Sequence, residues 1–442
     1  MTPNPFAPLS DLSTALCIVF ILLVPLAAAG LALINTGLGR SRSAAHAILG
    51  SLIVVSVAAL VYFVFGFSVQ GFAGGSFHAI TFAGNRWNFL ASQQWFFRGL
   101  KFDGSSASLQ ALLGMLSVGL AAMIPLGSGG DRWRLGAACA STALLAGVVY
   151  PLFAHWVWAG GWLSQLGAFY GLGRGFQDAG GTATIHVVGG FTALSIAWIL
   201  GPRRGKYAVD GMPAAIPGHN VVYIVFGCIL ALAGWCGLNA AGAILYVGVA
   251  PGTSVLIAVN TMLAAATAML ATLVVTRVRF GKPDASLCAN GWVGGLVASS
   301  AVAPFVTPAE AVVVGLVAGM IVPLSVEWLD VRLDVDDPGG AVSVHAAAGL
   351  WGLAALGALA RFPDAAHPSA GQPPSQWLAQ LVGVATLIGF VLPLVYTLNW
   401  ILNRFVPQRV AREGERQGLD LYELGAGAYP EFLTHSDEFL QR

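Results

Sequence analysis

Two stretches of the chain, DAGGTATIH (Asp178–His186) and DPGGAVSVH (Asp337–His345), decide the fold. Both read Asp, any residue, Gly-Gly, four residues, His. Each opens an apolar segment rich in Gly and Ala. Working outward from them, eleven such segments can be marked, at roughly 13–35, 46–68, 107–127, 135–154, 180–201, 218–238, 253–276, 285–304, 309–328, 340–360 and 379–403. Apolar blocks of about 20 residues cross a hydrocarbon core about 30 Å thick. Spans in lipid must be helical, because unpaired backbone groups are not tolerated there. The first Asp–Gly-Gly–His copy opens the fifth span and the second opens the tenth. They therefore start from opposite sides, as in an inverted repeat of five spans plus five, an architecture of transporters. The eleventh span lies outside the repeat.

Composition agrees. Of 442 residues, 57% are apolar and 9% charged, with a mean hydropathy of +0.76, whereas soluble chains carry about 25% charged residues. This excludes a soluble enzyme, a disordered chain and a nucleic-acid binder. The reading is an all-α polytopic membrane protein with 11 transmembrane helices. Net charge is +1, which says nothing about partners. The five cysteines (Cys17, Cys139, Cys228, Cys236, Cys288) lack metal-ligand spacing and read as small packing residues. No Lys or Arg precedes Arg40, so the first apolar stretch lacks a signal peptide's basic region and reads as a retained span.

Orientation follows from Lys and Arg. Sixteen of the 21 fall on one side, among them Arg40, Arg132, Arg203, Arg277 and Arg409; the other side receives Arg86, Arg98, Lys101, Arg174 and Arg361. The N-terminus is expected outside and the C-terminus inside. The expected organisation is a transmembrane domain over 1–403, with repeat halves of about 10–205 and 215–362, an extra helix at about 379–403, and a cytoplasmic tail over 404–442. The many small residues predict a close-packed bundle with a narrow route through it.

A His eight residues after the Asp lies about 12 Å along the helix. Approached from opposite sides, His186 and His345 both end near the midplane. The other histidines (His46, His78, His155, His219, His367, His435) fall in loops or at helix ends. An imidazole at membrane depth marks a functional site facing an interior path, and two in matched inverted positions strengthen that reading over a merely structural hydrogen bond. No third Cys, Asp or Glu shares their depth, which argues against a metal. Asp178 and Asp337 suit helix capping, Asp337 more clearly than Asp178. In HWVWAGGW, Trp156, Trp158 and Trp162 fit either an aromatic belt at the lipid boundary or a cation–π surface for a small cation.

These residues resemble the ammonium transporter/Rhesus (Amt/Rh) family over nearly the whole chain. ALINTGLGRSRS, GWCGLNAAG, AVNTMLAAATAML and KPDASLCANGWVGGLVASSAVAPFVTPAEAVVVGLVAG look like its first and its sixth to ninth helices. DAGGTATIH is closer to the Rhesus wording, while HVVGG and the tail REGERQGLDLYELGAGAYPE are closer to the Amt wording.

The resemblance implies a homotrimer in the cell (inner or plasma) membrane, passing ammonium or ammonia, and possessing no enzyme activity or cofactor. His186 and His345 match the family's twin-histidine pair, Trp158 the aromatic residue of its outer recruitment site, and Asp178 the carboxylate behind that site. Three matches depart from the family. Leu113 and Leu238 stand at the gate positions usually held by phenylalanine, and Gly242 stands where a serine normally binds ammonium. In the tail, Leu424 and Ala426 replace the usual His and Glu, which argues against docking of the family's PII-type regulatory partner. The departures leave open another solute, such as carbon dioxide or a methylamine-like amine. An ammonium sensor acting through a separate partner is a second reading, because only about 40 residues follow the last span, too few for a signalling domain. A bis-histidine haem or metal protein is a third. No Walker motif is present, which argues against ATP hydrolysis.

Overall fold

The computed structural model describes residues 9–208, 211–362 and 375–429. His367, His435, Arg442 and the tail beyond 429 lie outside the described residues. Among the described residues, eleven helices are long and apolar enough to cross a membrane, and we number them as spans. They are Asp11–Leu38, Ser41–Gln70, Ser106–Gly129, Leu135–Tyr170, Thr182–Leu200, Val221–Val247, Pro251–Phe280, Ala285–Val302, Pro308–Arg332, Val342–Leu359 and Ser375–Phe405. One antiparallel hairpin, β1 (His78–Phe82) and β2 (Asn85–Leu90), sits between spans 2 and 3.

Local chemistry starts these helices where they start. Ser10 caps span 1 by accepting from the Ser13 N–H at 3.1 Å, and Asp284 caps span 8 through the Leu287 N–H at 2.8 Å. Span 9 opens on a reciprocal capping box between Thr307 and Glu310, with Pro308 in its first turn. Each cap satisfies N–H groups that the helix leaves free.

The packing is two-fold in pattern. Span 3 packs on span 5 as span 8 packs on span 10, while spans 1 and 6 pair with each other. In that central pair the backbones touch: a Cβ on Gly30 would lie 2.5 Å from the Gly227 carbonyl oxygen, and one on Gly227 would lie 2.6 Å from that of Gly30. Large apolar side chains such as Leu22, Leu52, Val222 and Val278 point outward, as a lipid-facing surface requires.

Two spans run well past their expected ends. Span 6 runs to Val247 instead of 238, because Asn239 does not end it: its side-chain amide donates to Thr261 Oγ1 at 3.0 Å inside the bundle. Span 4 continues past 154 to Trp158, turns at 159–161, and adds a short helix, Trp162–Tyr170. Trp156 and Trp158 are buried within the protein, so they form no belt at the lipid boundary. His155, at the end of that span, is also buried, its ring bonded to the Gln70 carbonyl at 2.6 Å and Asn88 Oδ1 at 2.7 Å. It ties the hairpin to span 4, a structural use of the imidazole.

The tail folds back onto the helix ends opposite Trp158. The Asp420 carboxylate accepts from the N–H groups of Ala45 at 3.1 Å and His46 at 2.8 Å, and Glu423 Oε2 accepts from the Leu135 N–H at 2.9 Å. Acidic side chains thus sit at the positive N-terminal ends of spans 2 and 4.

Candidate functional site

Asp178 and Asp337 cap spans 5 and 10 alike. Asp178 Oδ2 accepts from the N–H groups of Ala183 and Thr184 at 3.0 and 2.9 Å. Asp337 accepts from those of Ala341 and Val342 at 3.1 and 2.8 Å. Between cap and helix, Gly181 (φ +87°) and Gly340 (φ +66°) take the left-handed conformation that glycine adopts without steric cost. Both helices then begin with a π turn, Thr182–Val187 and Val342–Ala347, which carries the histidine. Such turns are rare and concentrate at functional sites.

The two turns bring His186 and His345 together in the buried interior, with ring centroids 5.3 Å apart and planes at 30°. His186 also stacks on Trp235 of span 6, centroids 5.1 Å apart and planes 7° apart. Neither nitrogen of His186, nor Nδ1 of His345, has a hydrogen-bond partner. Buried imidazole nitrogens are normally satisfied, so the pair is free to receive a small molecule. Among the described residues, no group of three or more His, Cys, Asp or Glu could hold a metal.

Span 6 carries a stripe at helical spacing, Trp235, Leu238, Gly242 and Tyr246, all on one face. Its lower end touches His186 through Trp235, and its upper end touches Trp158 through Tyr246. From Trp235 to Tyr246 the rise is about 16 Å. Leu238 and Gly242 therefore lie between the histidines and the Trp158 level. Leu238 on this stripe is 1% exposed, and so is Leu113 of span 3. Below His345 a narrow cavity continues toward the tail side, lined by Leu31, Ile34, Asn35, Ile124, Asn290 and Val293.

At the Trp158 level the indole N–H donates to the Asp178 carbonyl at 2.7 Å. Tyr246 lies flat on the indole, centroids 4.2 Å apart and planes 1° apart, so one π face of Trp158 is covered. Asp337 spends both carboxylate oxygens, Oδ1 also accepting from Ser128 at 2.6 Å. Asp178 keeps Oδ1 buried and unpaired. This asymmetry separates a purely structural cap from one with an acceptor to spare.

Gly242 has a packing reason to be glycine. A Cβ there would drive into the Ala179 carbonyl oxygen, well inside contact distance. The Asp178–Gly181 turn fills the space a side chain would need. Gly242→Ser is expected to cost about 1–3 kcal/mol by overpacking, read as a lower thermal midpoint in detergent, with Gly242→Ala losing as much. A Ser variant as stable as the parent would show that the turn moves aside.

The structure brings His186 and His345 together and sets Trp158 against the Asp178 cap, residues named from the sequence, whereas Trp235 and Tyr246 beside them went unnamed. The usable signal was their spacing from Gly242, seven residues before and four after.

Fold and site together define a polytopic α-helical membrane transport protein built on an inverted repeat. The Ammonium Transporter Family matches residues 15–429, and the chain belongs to that family. It is 33% identical to the ammonium transporter Amt2 of Archaeoglobus fulgidus, over 98% of this chain and 91% of the relative. It is 30% identical to the ammonium transporter of Bacillus subtilis, over 93% of this chain and 97% of that one. Among solved structures it is similar to a sensor Amt protein, with TM-score 0.82, 26% identity, and coverage of 93% of this chain and 98% of that one. It is also similar to Mep2 of Saccharomyces cerevisiae, with TM-score 0.79, 25% identity, and coverage of 93% and 92%.

Proposed function

We propose that this chain passes ammonium across the cell membrane as ammonia, shedding the proton on the way, through the stripe from Trp158 to His345 and the cavity beyond. The observation that carries the reading is the His186–His345 pair, buried with free ring nitrogens between two apolar stretches. A bare cation at the bilayer centre costs several kcal/mol. A neutral molecule with one lone pair and three N–H groups crosses an apolar layer more cheaply, and an imidazole exchanges a proton with it. Asp178 and Trp158 form the recruitment level, Leu113 and Leu238 the gate, and His186 and His345 the midplane relay. The repeat halves over about 10–205 and 215–362 act as one transmembrane domain to residue 403, with the tail from 404 inside and Trp158 outside. The Lys and Arg distribution supports that orientation, and the family resemblance supports a homotrimer.

Proteoliposomes given an ammonium jump test this. Current or internal pH change with ammonium, and none with potassium, is the expected result; a current identifies net charge movement and a pH rise without current identifies neutral passage. Silence in both, with intact oligomers, overturns the transport reading. Likeness to a sensor Amt protein supports a second one, signalling through a partner; silent transport with a co-purifying signalling protein would favour it.

A further inference from the structure

Asn35 lines the cavity below His345 and also a second cavity, further toward the tail. The second cavity is about 40 Å³, room enough for a molecule the size of water or ammonia. Its walls include His46, Asp131, Trp133 and, from the tail, Leu419. His46 lies near the start of span 2 and is partly buried. Its Nε2 meets Glu423 Oε2 of the tail at 2.8 Å. That oxygen also accepts from the Leu135 N–H at 2.9 Å, and a carboxylate oxygen taking two N–H bonds is held in its charged, accepting form. In the neutral imidazole Nε2 therefore carries the hydrogen, and the lone pair falls to Nδ1. Among the described residues Nδ1 has no hydrogen-bond partner.

We infer that His46, its tautomer fixed by Glu423, is a further proton-exchange residue at the inner mouth of the path. This rests on the proposed passage of ammonium as ammonia and names where the proton is returned. In inward flow the His46 imidazolium gives its Nδ1 proton to emerging ammonia. The Nδ1–H bond breaks, a fourth N–H bond forms, ammonium leaves on the tail side, and the ring takes a new proton from water there. In outward flow the neutral ring takes a proton from ammonium by the reverse step. The charged groups around His46 come from every side. Glu423 meets the ring, and Asp420 accepts from the His46 backbone N–H at 2.8 Å. Arg134 lies within electrostatic range of Glu423. Asp131, on the cavity wall, pairs with Arg203 at 3.2 Å and Arg40 at 3.9 Å. Arg42, four residues before His46, is exposed. A carboxylate against the ring offsets the charge that the imidazolium gains, so the tail contributes to the chemistry of the path.

His46→Gln keeps an N–H donor for Glu423 and removes the proton exchange. Parent and variant proteoliposomes are given the same ammonium jump, with equal pH on both sides, across about pH 5.5–8, the window in which imidazoles titrate. The ammonium–ammonia equilibrium is common to both, so the ratio of their initial uptake rates isolates His46. The parent is expected to be about tenfold faster at the acid end, a small part of what a positioned proton donor contributes. That advantage should fade toward the alkaline end as the imidazolium is lost. Glu423→Gln removes the charge facing the ring, so its advantage over His46→Gln should fade about one pH unit lower. A pair that only holds the tail would lower rate and thermal midpoint together and leave the ratio flat with pH. A flat ratio in a folded, oligomeric His46→Gln would overturn the assignment, as would a fade that Glu423→Gln does not move. If His46→Gln does not assemble, Glu423→Gln is set against the parent directly, and a ratio independent of pH overturns the assignment. A transporting parent beside a flat ratio leaves the proposed function standing; a silent parent ends that reading and this assignment with it.

Discussion

Replacing both midplane histidines, His186→Ala with His345→Ala, is expected to lower ammonium transport on the order of 100-fold, the factor that corresponds to a charge at the bilayer centre on insertion scales. The reasoning is local. His186 and His345 are 0% and 3% exposed and stack on each other, and His186 also stacks on Trp235. On the tail side the cavity below them is lined mostly by Leu31, Ile34, Ile124 and Val293, with Asn35 and Asn290, and Leu238 follows Trp235 by one turn on the other side. Two methyl groups in place of two imidazoles leave no proton acceptor at the midplane, so the ion either crosses bare or stops. Each single variant keeps one imidazole and should lose less than the pair. Stability gives the control: neither nitrogen of His186, nor Nδ1 of His345, bonds another element, so the double variant should unfold within a few degrees of the parent. A double variant that is oligomeric, stable and fully active would remove the histidines from the mechanism.

How much of this was legible follows from which signals are periodic. Span 8, expected at 285–304, is observed at Ala285–Val302, because Asp284 announces the helix start and the apolar run announces its length. The Asp–Gly-Gly–His repeat carried the inverted topology, since a cap, a left-handed turn and a residue eight positions on are all set by sequence spacing. The π turns at Thr182–Val187, Val342–Ala347 and Ala243–Val247 were not legible: an extra residue per turn leaves no compositional trace. Two of these turns aim the histidines; the third carries Tyr246. Ending span 6 at 238 hid Tyr246 in a supposed loop. The stretch continued because a polar residue, Asn239, found Thr261 within the bundle, and such pairing depends on a distant helix. The boundary reading of the tryptophans failed for the same reason, since burial by a neighbouring hairpin and span is tertiary information.

The charged groups on the tail side were read from sequence only as a topology signal, yet they form a buried network whose disruption is the largest stability effect expected. Arg203, which follows span 5, makes a two-pronged pair with Asp336, which precedes span 10: Nε to Oδ2 at 2.9 Å and Nη2 to Oδ1 at 3.0 Å. Its backbone N–H adds a third bond to Oδ2 at 2.7 Å, and Nη1 reaches Asp131 Oδ2 at 3.2 Å. Arg132, fully buried, donates to the carbonyls of Gly201 and Asp336 at 2.7 and 2.8 Å. The network thus joins the end of the first repeat half to the cap of span 10, the last span of the second half. Arg203→Ala leaves Asp336 buried and short of its main partner, at an expected cost of about 3–5 kcal/mol, measured by thermal or denaturant unfolding in detergent. A surface pair would cost under about 1 kcal/mol, so a loss that small would mean the network is hydrated. The pH dependence has a definite sign. Burial alone would raise the Asp336 carboxyl, but the hydrogen bonds and charge of Arg203 outweigh it and hold the group below its ordinary range. A carboxyl depressed in the folded state contributes stability above its unfolded value of about 4 and loses it as pH falls through the folded value. The parent should therefore lose stability below about pH 4, and Asp336→Asn, already less stable at neutral pH, should show a shallower acid limb. Parallel acid limbs in the two proteins would place the titration elsewhere.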